Sequence, residues 1–262
     1  MTNRHAFYSV AAFITLIIAG CATYAEPEGL TSPWSRAEIH VFTERTGYIF
    51  GRPGDKYVLR RLAEIPPGEQ LPTVVYLHGS KIGGCRVAKG HAELLNGAGY
   101  AVIMPNTCAH KDYYDPCDPV TYRCHGEGLI VRMRLADLRH ALEQIRKLAW
   151  VDQENLFLMG FSEGGYTAAA YPGNEFRGVI VIGTTCHFGV RAPLSTPVMS
   201  IRSAGDPWVM PYTSRCERKG VARETPLESV IIPGVAAHNV VVYREAREAI
   251  LDFLKRYTTR HP

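Results

Sequence analysis

The sequence predicts an α/β protein in which helices cover both faces of a doubly wound, mostly parallel sheet. Of its 262 residues, 46% are hydrophobic and 21% are charged, an ordinary globular composition with enough apolar material for one large core. The predicted strands are apolar throughout instead of alternating, as expected for parallel strands that are buried on both faces. Segments with helical spacing separate these strands, which is the order typical of a doubly wound fold.

The predicted elements follow one another from residue 39 onward. Short N-terminal strands, expected to be antiparallel, are indicated at 41–42, 48–50 and 57–59. Longer apolar strands follow at 73–79, 100–105, 155–160, 178–183, 197–201 and 228–232. Helices are indicated at 85–98, 135–148, 163–171 and 242–257, and the second repeats leucine or isoleucine every three or four residues. A loop rich in Cys, Tyr, Asp and His spans 106–128.

The N-terminus resembles a bacterial export signal. A short positive region ending at His5 precedes an apolar run of about 14 residues, whereas a membrane-spanning helix needs roughly 20. Ile18-Ala19-Gly20-Cys21 resembles the lipobox, in which the cysteine is lipidated and becomes the mature N-terminus; a plain secretory signal with a chance cysteine is the alternative. We therefore predict a signal peptide over 1–20, a spacer over 21–35 and a single domain over 36–262.

Lipidation of Cys21 would tether the folded domain to the bacterial cell envelope. In a Gram-negative cell, Ala22 after the cysteine favours the outer membrane or the periplasmic face. The formal net charge is only +4 and is scattered, so the sequence shows no basic stripe for a nucleic-acid partner. The sequence assigns no oligomeric state.

Six cysteines remain when Cys21 is set aside: Cys85, Cys108, Cys117, Cys124, Cys186 and Cys216. An even number in an exported chain predicts disulfides, with fifteen possible pairings that the sequence does not resolve. The alternative is a metal site around Cys108, His110, Cys117 and Cys124-His125. Its spacings match no common zinc pattern, so we predict no metal site.

A serine lies between a predicted strand and a predicted helix, in Gly160-Phe161-Ser162-Glu163-Gly164. Glycines on both sides permit a sharp turn in which a Cβ atom would clash with a neighbouring strand or helix. By itself the pattern also fits an ordinary glycine-rich connection. A serine hydroxyl becomes a good nucleophile only when a base removes its proton and a third group holds that base.

Asp206 and His238 are the candidates for the acid and the base. Asp206 is the only aspartate between Ser162 and His238, and it follows the strand predicted at 197–201. Only His238 and the penultimate His261 follow it, and His238 lies between the last predicted strand and the last helix. Turn initiation by Asp206 and helix capping by His238 are the alternatives. Because both residues occupy the expected loops in the order Ser, acid, His, we predict a catalytic triad.

An oxyanion hole needs two backbone N–H groups near the serine. The N–H of Glu163 begins the predicted helix, where the helix dipole favours negative charge. The N–H of Ser80, in the loop that follows the strand ending at His78-Gly79, is the second candidate. We assign His78 a structural role in bracing this loop.

Trp208, Tyr113 and Tyr114 are candidates for the pocket walls. The alternative for these aromatic residues is a role in core packing and in a disulfide-braced surface.

The His-Gly strand end, Gly-Phe-Ser-Glu-Gly-Gly at 160–165, Gly205-Asp206-Pro207 and Ala237-His238-Asn239 together resemble the α/β-hydrolase superfamily. The resemblance covers roughly residues 55–258 and is closest to the dienelactone-hydrolase-like branch. The enzyme that names this branch uses a cysteine nucleophile, so a serine at 162 favours general esterase chemistry over dienelactone hydrolysis.

The resemblance implies that domain 36–262 is of the α/β-hydrolase type and cleaves a small-molecule carboxylic ester through an acyl-enzyme. This chemistry requires no metal or organic cofactor. A serine peptidase or amidase of the same fold is one alternative, and a non-catalytic binding protein is another.

Overall fold

The computed structural model describes residues 33–80, 84–209, 216 and 227–259, without the side chains of 84–86. The predicted leader, Cys21 and most of the predicted spacer lie outside these ranges. The strands are β1 (Glu38–Thr43), β2 (Gly47–Gly51), β3 (Leu71–Leu77), β4 (Ala101–Met104), β5 (Cys117–Asp118), β6 (Arg123–Cys124), β7 (Val151–Phe161), β8 (Gly178–Ile182), β9 (Val198–Ser203) and β10 (Leu227–Ile232). The α-helices are α1 (Lys56–Leu62), α2 (Gly84–Gly97), α3 (Glu127–Ile145), α4 (Glu163–Ala170) and α5 (Arg244–Tyr257). Short 3₁₀ helices occupy Thr107–Ala109 and Val240–Val242.

Eight of the described strands form one sheet in the order β10-β9-β8-β7-β3-β4-β1-β2. Every pair from β10 to β4 is parallel, whereas β1 is antiparallel to both β4 and β2. This arrangement confirms the predicted fold class, including short antiparallel N-terminal strands. Within the described ranges, no helix combines the length and apolar character needed to cross a membrane.

Two apolar layers, one on each face, bury the sheet. Successive residues of β3 face opposite sides: Val75 and Leu77 belong to one core cluster, and Val74 and Tyr76 to the other. Helix α3 covers the first face with Leu138, and α2 and α5 cover the second. Burial on both faces explains why the central strands are apolar at every position.

The prediction of a strand at 57–59 is wrong, because these residues lie within α1. Val58 and Leu62 are four residues apart, so the helix buries both on one side, next to β2. Three adjacent residues are too few to show whether an apolar pattern has the period of a strand or of a helix.

The centre of the sheet determines where a site can form. The chain passes from β3 to β4 on one side and later returns to β7 on the other side of β3. The last pair in the β3–β7 register joins Leu77 to Gly160, directly before the His78-Gly79 and Ser162 segments. In open α/β sheets, ligands bind beyond the carboxyl ends of strands at such a switch point.

Candidate active site

Ser162 forms the sharp turn between β7 and α4. Its backbone angles are φ 54° and ψ −117°, a left-handed conformation that is costly for a residue with a side chain. The turn requires the flanking glycines, because a Cβ atom on Gly160 would overlap the Gly164 carbonyl oxygen and one on Gly164 would overlap that of Leu77. The Ser162 N–H donates to the Ile182 carbonyl at 2.8 Å, which anchors the turn to β8.

The three predicted triad residues lie in one hydrogen-bonded chain. The Nδ1 atom of His238 is 2.8 Å from Asp206 Oδ2, and its Nε2 atom is 2.7 Å from Ser162 Oγ. A carboxylate only accepts, so Nδ1–H donates to Asp206 and leaves the Nε2 lone pair for the serine proton. The second Asp206 oxygen accepts the N–H of Trp208 at 2.9 Å. This arrangement orients a base toward a hydroxyl group and holds that base from behind.

The loops that carry Asp206 and His238 are held together by backbone contacts. The N–H of Gly205 donates to the Val235 carbonyl at 3.0 Å, which ties the loop after β9 to the loop after β10. Gly183, with φ +61°, follows β8 and makes room for the histidine: a Cβ atom there would lie 3.3 Å from His238 Cε1. Since β8, β9 and β10 are parallel neighbours, their carboxyl ends bring these loops to one edge of the sheet.

The segment predicted to hold the oxyanion hole lies against the serine. A Cβ atom built on Gly79 would be 3.4 Å from Ser162 Cβ, so the loop after β3 passes directly beside the candidate nucleophile. Ser80 is the next residue along this loop, and Glu163 follows Ser162 as the first residue of α4. His78 is buried and donates from Nδ1 to the Gly79 carbonyl at 2.7 Å. Burial, followed by the nearby Arg134 charge, lowers the pKa of His78 to about 3, so this ring is neutral at physiological pH.

The predicted wall residue Trp208 lies beside the His238 imidazole, with the two ring centroids 5.7 Å apart. The Tyr122 ring contacts the indole edge-on, with the ring centroids 5.2 Å apart. Tyr122 lies in the short hairpin that the Cys117–Cys124 disulfide closes. The structure therefore places an aromatic pair beside His238.

The two other predicted wall residues are placed differently. The Tyr113 hydroxyl donates to Glu163 Oε2 at 3.1 Å, so Tyr113 contacts the carboxylate of the residue that follows Ser162. Burial and the Glu163 charge raise the pKa of Tyr113, which keeps this hydroxyl a donor. Tyr114 is 44% exposed and donates to the Gly126 carbonyl at 3.2 Å, where it braces its own loop.

Four of the six predicted disulfide cysteines are paired in the described residues, as Cys117–Cys124 and Cys186–Cys216. The first pair uses two thiols of the alternative metal site, and His110 contacts Asp137 at 2.7 Å. Among the residues that the structure describes, no group of three or more His, Cys, Asp or Glu side chains is placed to hold a metal ion. The Cys85 side chain lies outside this description.

Sequence reasoning did not identify Arg134 or Tyr122. Arg134 is 1% exposed and lies on the buried face of α3, four residues from both Ile130 and Leu138. An arginine at an apolar position of a helical repeat was the available signal, because a buried charge requires a partner. Tyr122 carried no comparable signal, since its contact with Trp208 depends on how two distant loops fold.

Comparisons with known proteins agree with this architecture. No protein-family model matches the sequence, and no curated protein sequence matches it significantly. A solved structure from Agrobacterium tumefaciens, described as an α/β hydrolase of unknown function, is similar at a TM-score of 0.54 and 18% identity. The match covers 84% of this chain and 95% of that one. A sugar hydrolase from Lactococcus lactis has a TM-score of 0.51 at 19% identity over 72% of this chain and 90% of its own.

A phospholipase/carboxylesterase from Dyadobacter fermentans is similar at a TM-score of 0.50 and 18% identity, covering 73% of this chain and 93% of its own. Identities this low are informative about architecture alone. Together with the strand order and the serine turn after β7, they show that this chain has the α/β-hydrolase fold.

Proposed function

We propose that this protein is a serine hydrolase that cleaves carboxylic esters through an acyl-enzyme on Ser162. The observation that carries the proposal is the continuous chain from Ser162 Oγ through His238 to Asp206, with contacts of 2.7 and 2.8 Å. It lies at the carboxyl edge of the sheet, beside the β3–β7 switch point.

In the proposed reaction, Ser162 Oγ attacks the ester carbonyl carbon while His238 Nε2 takes its proton. The carbonyl π electrons move onto oxygen, and the N–H groups of Ser80 and Glu163 stabilise this oxyanion. When the intermediate collapses, the bond to the alkoxide breaks and His238 returns the proton to it. Water then attacks the acyl-enzyme with His238 as base, which releases the acid and restores Ser162. Asp206 holds the Nδ1–H tautomer and stabilises the charged imidazole.

Amides are the alternative substrates for the same groups, and they distinguish an esterase from a peptidase. An amine leaves only after it is protonated, whereas an alkoxide leaves more easily. Ester cleavage therefore depends less than amide cleavage on how precisely His238 is placed to protonate the leaving group. A non-catalytic binding role is disfavoured because it would not require the strained Ser162 turn or its contact with His238.

Labelling with a fluorophosphonate tests the proposal most directly. We expect the folded protein to be labelled and to hydrolyse short nitrophenyl esters, and Ser162→Ala to abolish both. Ser195→Ala is the matched control, because Ser195 is exposed and precedes β9 at the opposite edge of the sheet. A folded wild-type protein that resists labelling would contradict the hydrolase proposal. Labelling that survives Ser162→Ala would show that another serine reacts.

A substrate panel separates the two hydrolase alternatives. Nitrophenyl esters of increasing acyl length report how deep the pocket is, and matched peptide anilides report amide cleavage. Ester turnover that exceeds anilide turnover supports the esterase, whereas the reverse order supports the peptidase.

We also propose that the protein is tethered to the bacterial envelope through lipidated Cys21. The support is the Ile18-Ala19-Gly20-Cys21 segment that ends the predicted leader. Mass spectrometry of the mature N-terminal peptide should find a lipidated Cys21, and Cys21→Ser should move the protein from the detergent phase to the aqueous phase. An N-terminus without lipid would contradict the tether and leave the hydrolase proposal unaffected.

A further inference from the structure

A charged side chain lies fully inside the protein directly behind the candidate site. Arg134, in the first half of α3, is 1% exposed. Removing a guanidinium from water is costly unless its donors and its charge are matched by partners. These partners therefore indicate what the residue does.

Two of the Arg134 donors bind the loop after β3. Its Nη1 donates to the His78 carbonyl at 2.6 Å, and its Nη2 donates to the Gly79 carbonyl at 2.9 Å. His78 Nδ1 donates to the same Gly79 oxygen at 2.7 Å. Arg134 thus holds the loop that passes beside Ser162 from its buried side, through two adjacent carbonyl groups of that loop.

Peptide geometry relates those carbonyls to the opposite side of the loop. In a trans peptide the C=O and the following N–H point in opposite directions, and no cis peptide bond occurs among the residues described. When the Gly79 carbonyl points to Arg134, the Ser80 N–H must point away from it. Gly79 itself packs against Phe161 and Ser162, so the Ser80 N–H lies one peptide unit from the contact with the candidate nucleophile.

The remaining Arg134 nitrogen is paired with the other half of the candidate oxyanion hole. Its Nε lies 3.4 Å from Glu163 Oε1, and both side chains are 1% exposed. Tyr113 holds the second carboxylate oxygen at 3.1 Å. Glu163 is the first residue of α4, and its N–H directly follows Ser162. One guanidinium therefore contacts the two segments that would supply the two N–H groups.

We propose that Arg134 is a positioning residue of the oxyanion hole: by binding the His78 and Gly79 carbonyls and the Glu163 carboxylate, it sets the spacing and direction of the Ser80 and Glu163 N–H groups. This inference rests on the proposed serine-hydrolase function. Arg134 does not contact substrate, since it is buried behind both segments. Its planar fork donates to two carbonyl oxygens in fixed directions while Nε lies 3.4 Å from the Glu163 carboxylate, an arrangement that the single ammonium of a lysine does not reproduce.

The test compares Arg134→Lys with the wild type. Lysine keeps the charge and loses the fork, so we expect kcat/KM for a nitrophenyl ester to fall about 10²-fold, the scale on which one oxyanion donor contributes. The fall should appear in kcat, with KM changed less than threefold. Arg132→Lys is the matched control, because Arg132 lies on the same helix and is exposed. It should behave as the wild type.

Two readouts separate positioning from a merely structural role. The amplitude of the nitrophenol burst counts competent active sites, and it should stay near one per chain in Arg134→Lys while the burst rate falls. A trifluoromethyl ketone adds to Ser162 and places an oxyanion in the hole, so its Ki should rise by the same factor by which kcat/KM falls.

A second variant keeps the proposal falsifiable if Arg134→Lys does not fold. Arg134→Met/Glu163→Gln removes both buried charges at similar volume, and the positioning role predicts a full burst amplitude with a lowered rate. Wild-type rates in either folded variant would overturn the inference, as would a loss explained wholly by reduced amplitude. A wild type with neither a burst nor Ser162 labelling would instead contradict the hydrolase proposal.

Discussion

At the scale of single residues, the proposed chemistry depends on which nitrogen of His238 carries the proton. Asp206 settles this, because its carboxylate accepts from Nδ1 and accepts the Trp208 N–H with its other oxygen. The Asp206 side chain is 0% exposed, so water does not compete for these contacts. Ser162, by contrast, is held in a strained backbone conformation that its neighbours must maintain.

Asp206→Asn should lower kcat/KM by about 10³- to 10⁴-fold, because an amide NH₂ group facing Nδ1 favours the tautomer that carries its proton on Nε2. That tautomer donates to Ser162 Oγ and does not accept its proton. Asp252→Asn on α5 is the control, since Asp252 is exposed. Steady-state kinetics at pH 7 with both variants check this. A fall below tenfold in Asp206→Asn would contradict the assigned role.

His91 supports the loop that carries His238 from inside the protein. Its Nε2–H donates to Asn239 Oδ1 at 3.1 Å, next to His238, and its Nδ1 accepts the Tyr76 hydroxyl at 2.5 Å. Burial lowers the pKa of His91 from 6.5 to about 4, although the Asn239 contact raises it in part. The His91 ring is therefore neutral in the folded protein at physiological pH.

This depressed pKa predicts that the protein loses stability in mild acid. Between pH 6.5 and 4 the unfolded state binds a proton at His91 that the folded state does not, so the free energy of unfolding falls as pH falls through this window. From pH 7 to 5 the linkage amounts to about 2 kcal/mol for such a group. Urea unfolding across this range should show a shallower pH dependence in His91→Gln. The exposed-site control His125→Gln should keep the wild-type slope.

At the scale of elements, the serine turn depends on how closely β7, α4 and β3 approach one another. Gly160 and Gly164 are the points of closest contact, because a side chain at either would overlap backbone oxygen atoms. The loops after β9 and β10 add a second connection through Gly205 and Val235. The ends of β3, β7, β9 and β10 thus determine the position of groups that lie on the following loops and turns.

Gly164→Ala should destabilise the turn strongly, because the added Cβ atom meets the Leu77 carbonyl oxygen and backbone cannot move aside without shifting β3. We expect loss of ester hydrolysis together with a thermal midpoint lowered by several degrees. Gly90→Ala tests the same substitution in α2, where a Cβ atom meets nothing within 4 Å. It should stabilise by roughly 0.5–1 kcal/mol through helix propensity. Equal midpoints for the two variants would contradict the close approach.

At the scale of the whole molecule, the buried sheet and its two apolar layers form the framework, and the two described disulfides link segments outside that sheet. Cys186 and Cys216 are both buried, and their bridge spans 30 residues between the loop after β8 and the segment between β9 and β10. Cys117–Cys124 closes a separation of seven residues in the hairpin that carries Tyr122. The two bridges therefore differ in what they constrain.

Removing Cys186–Cys216 by paired Cys→Ala substitution should cost more stability than removing Cys117–Cys124. Loop entropy accounts for about 1 kcal/mol of this difference, because the longer loop has more freedom in the unfolded state. Lost packing of buried sulfur adds to it. Urea unfolding of the two double variants measures the comparison. Equal losses, or a larger loss at Cys117–Cys124, would contradict this ranking.

The sheet and the position of the serine could be predicted from short stretches of sequence. Apolar runs such as 155–160 and 178–183 appear as strands because burial on both faces leaves no polar positions to interpret. Gly-x-Ser-x-Gly indicates its turn because only glycine tolerates that approach. The 57–59 segment shows the limit of this reasoning, since three residues have no period and helix α1 forms there.

Contacts between residues far apart in the chain could be identified only from the folded structure. The carbonyls that Arg134 binds lie 55 and 56 residues before it, and the disulfide partners were four members of a set with fifteen possible pairings. Tyr122 meets Trp208 across two loops in the same way. Backbone periodicity and turn chemistry act over a few residues and are visible in the sequence. Which side chains meet depends on where the strand ends converge, and that is a property of the assembled sheet.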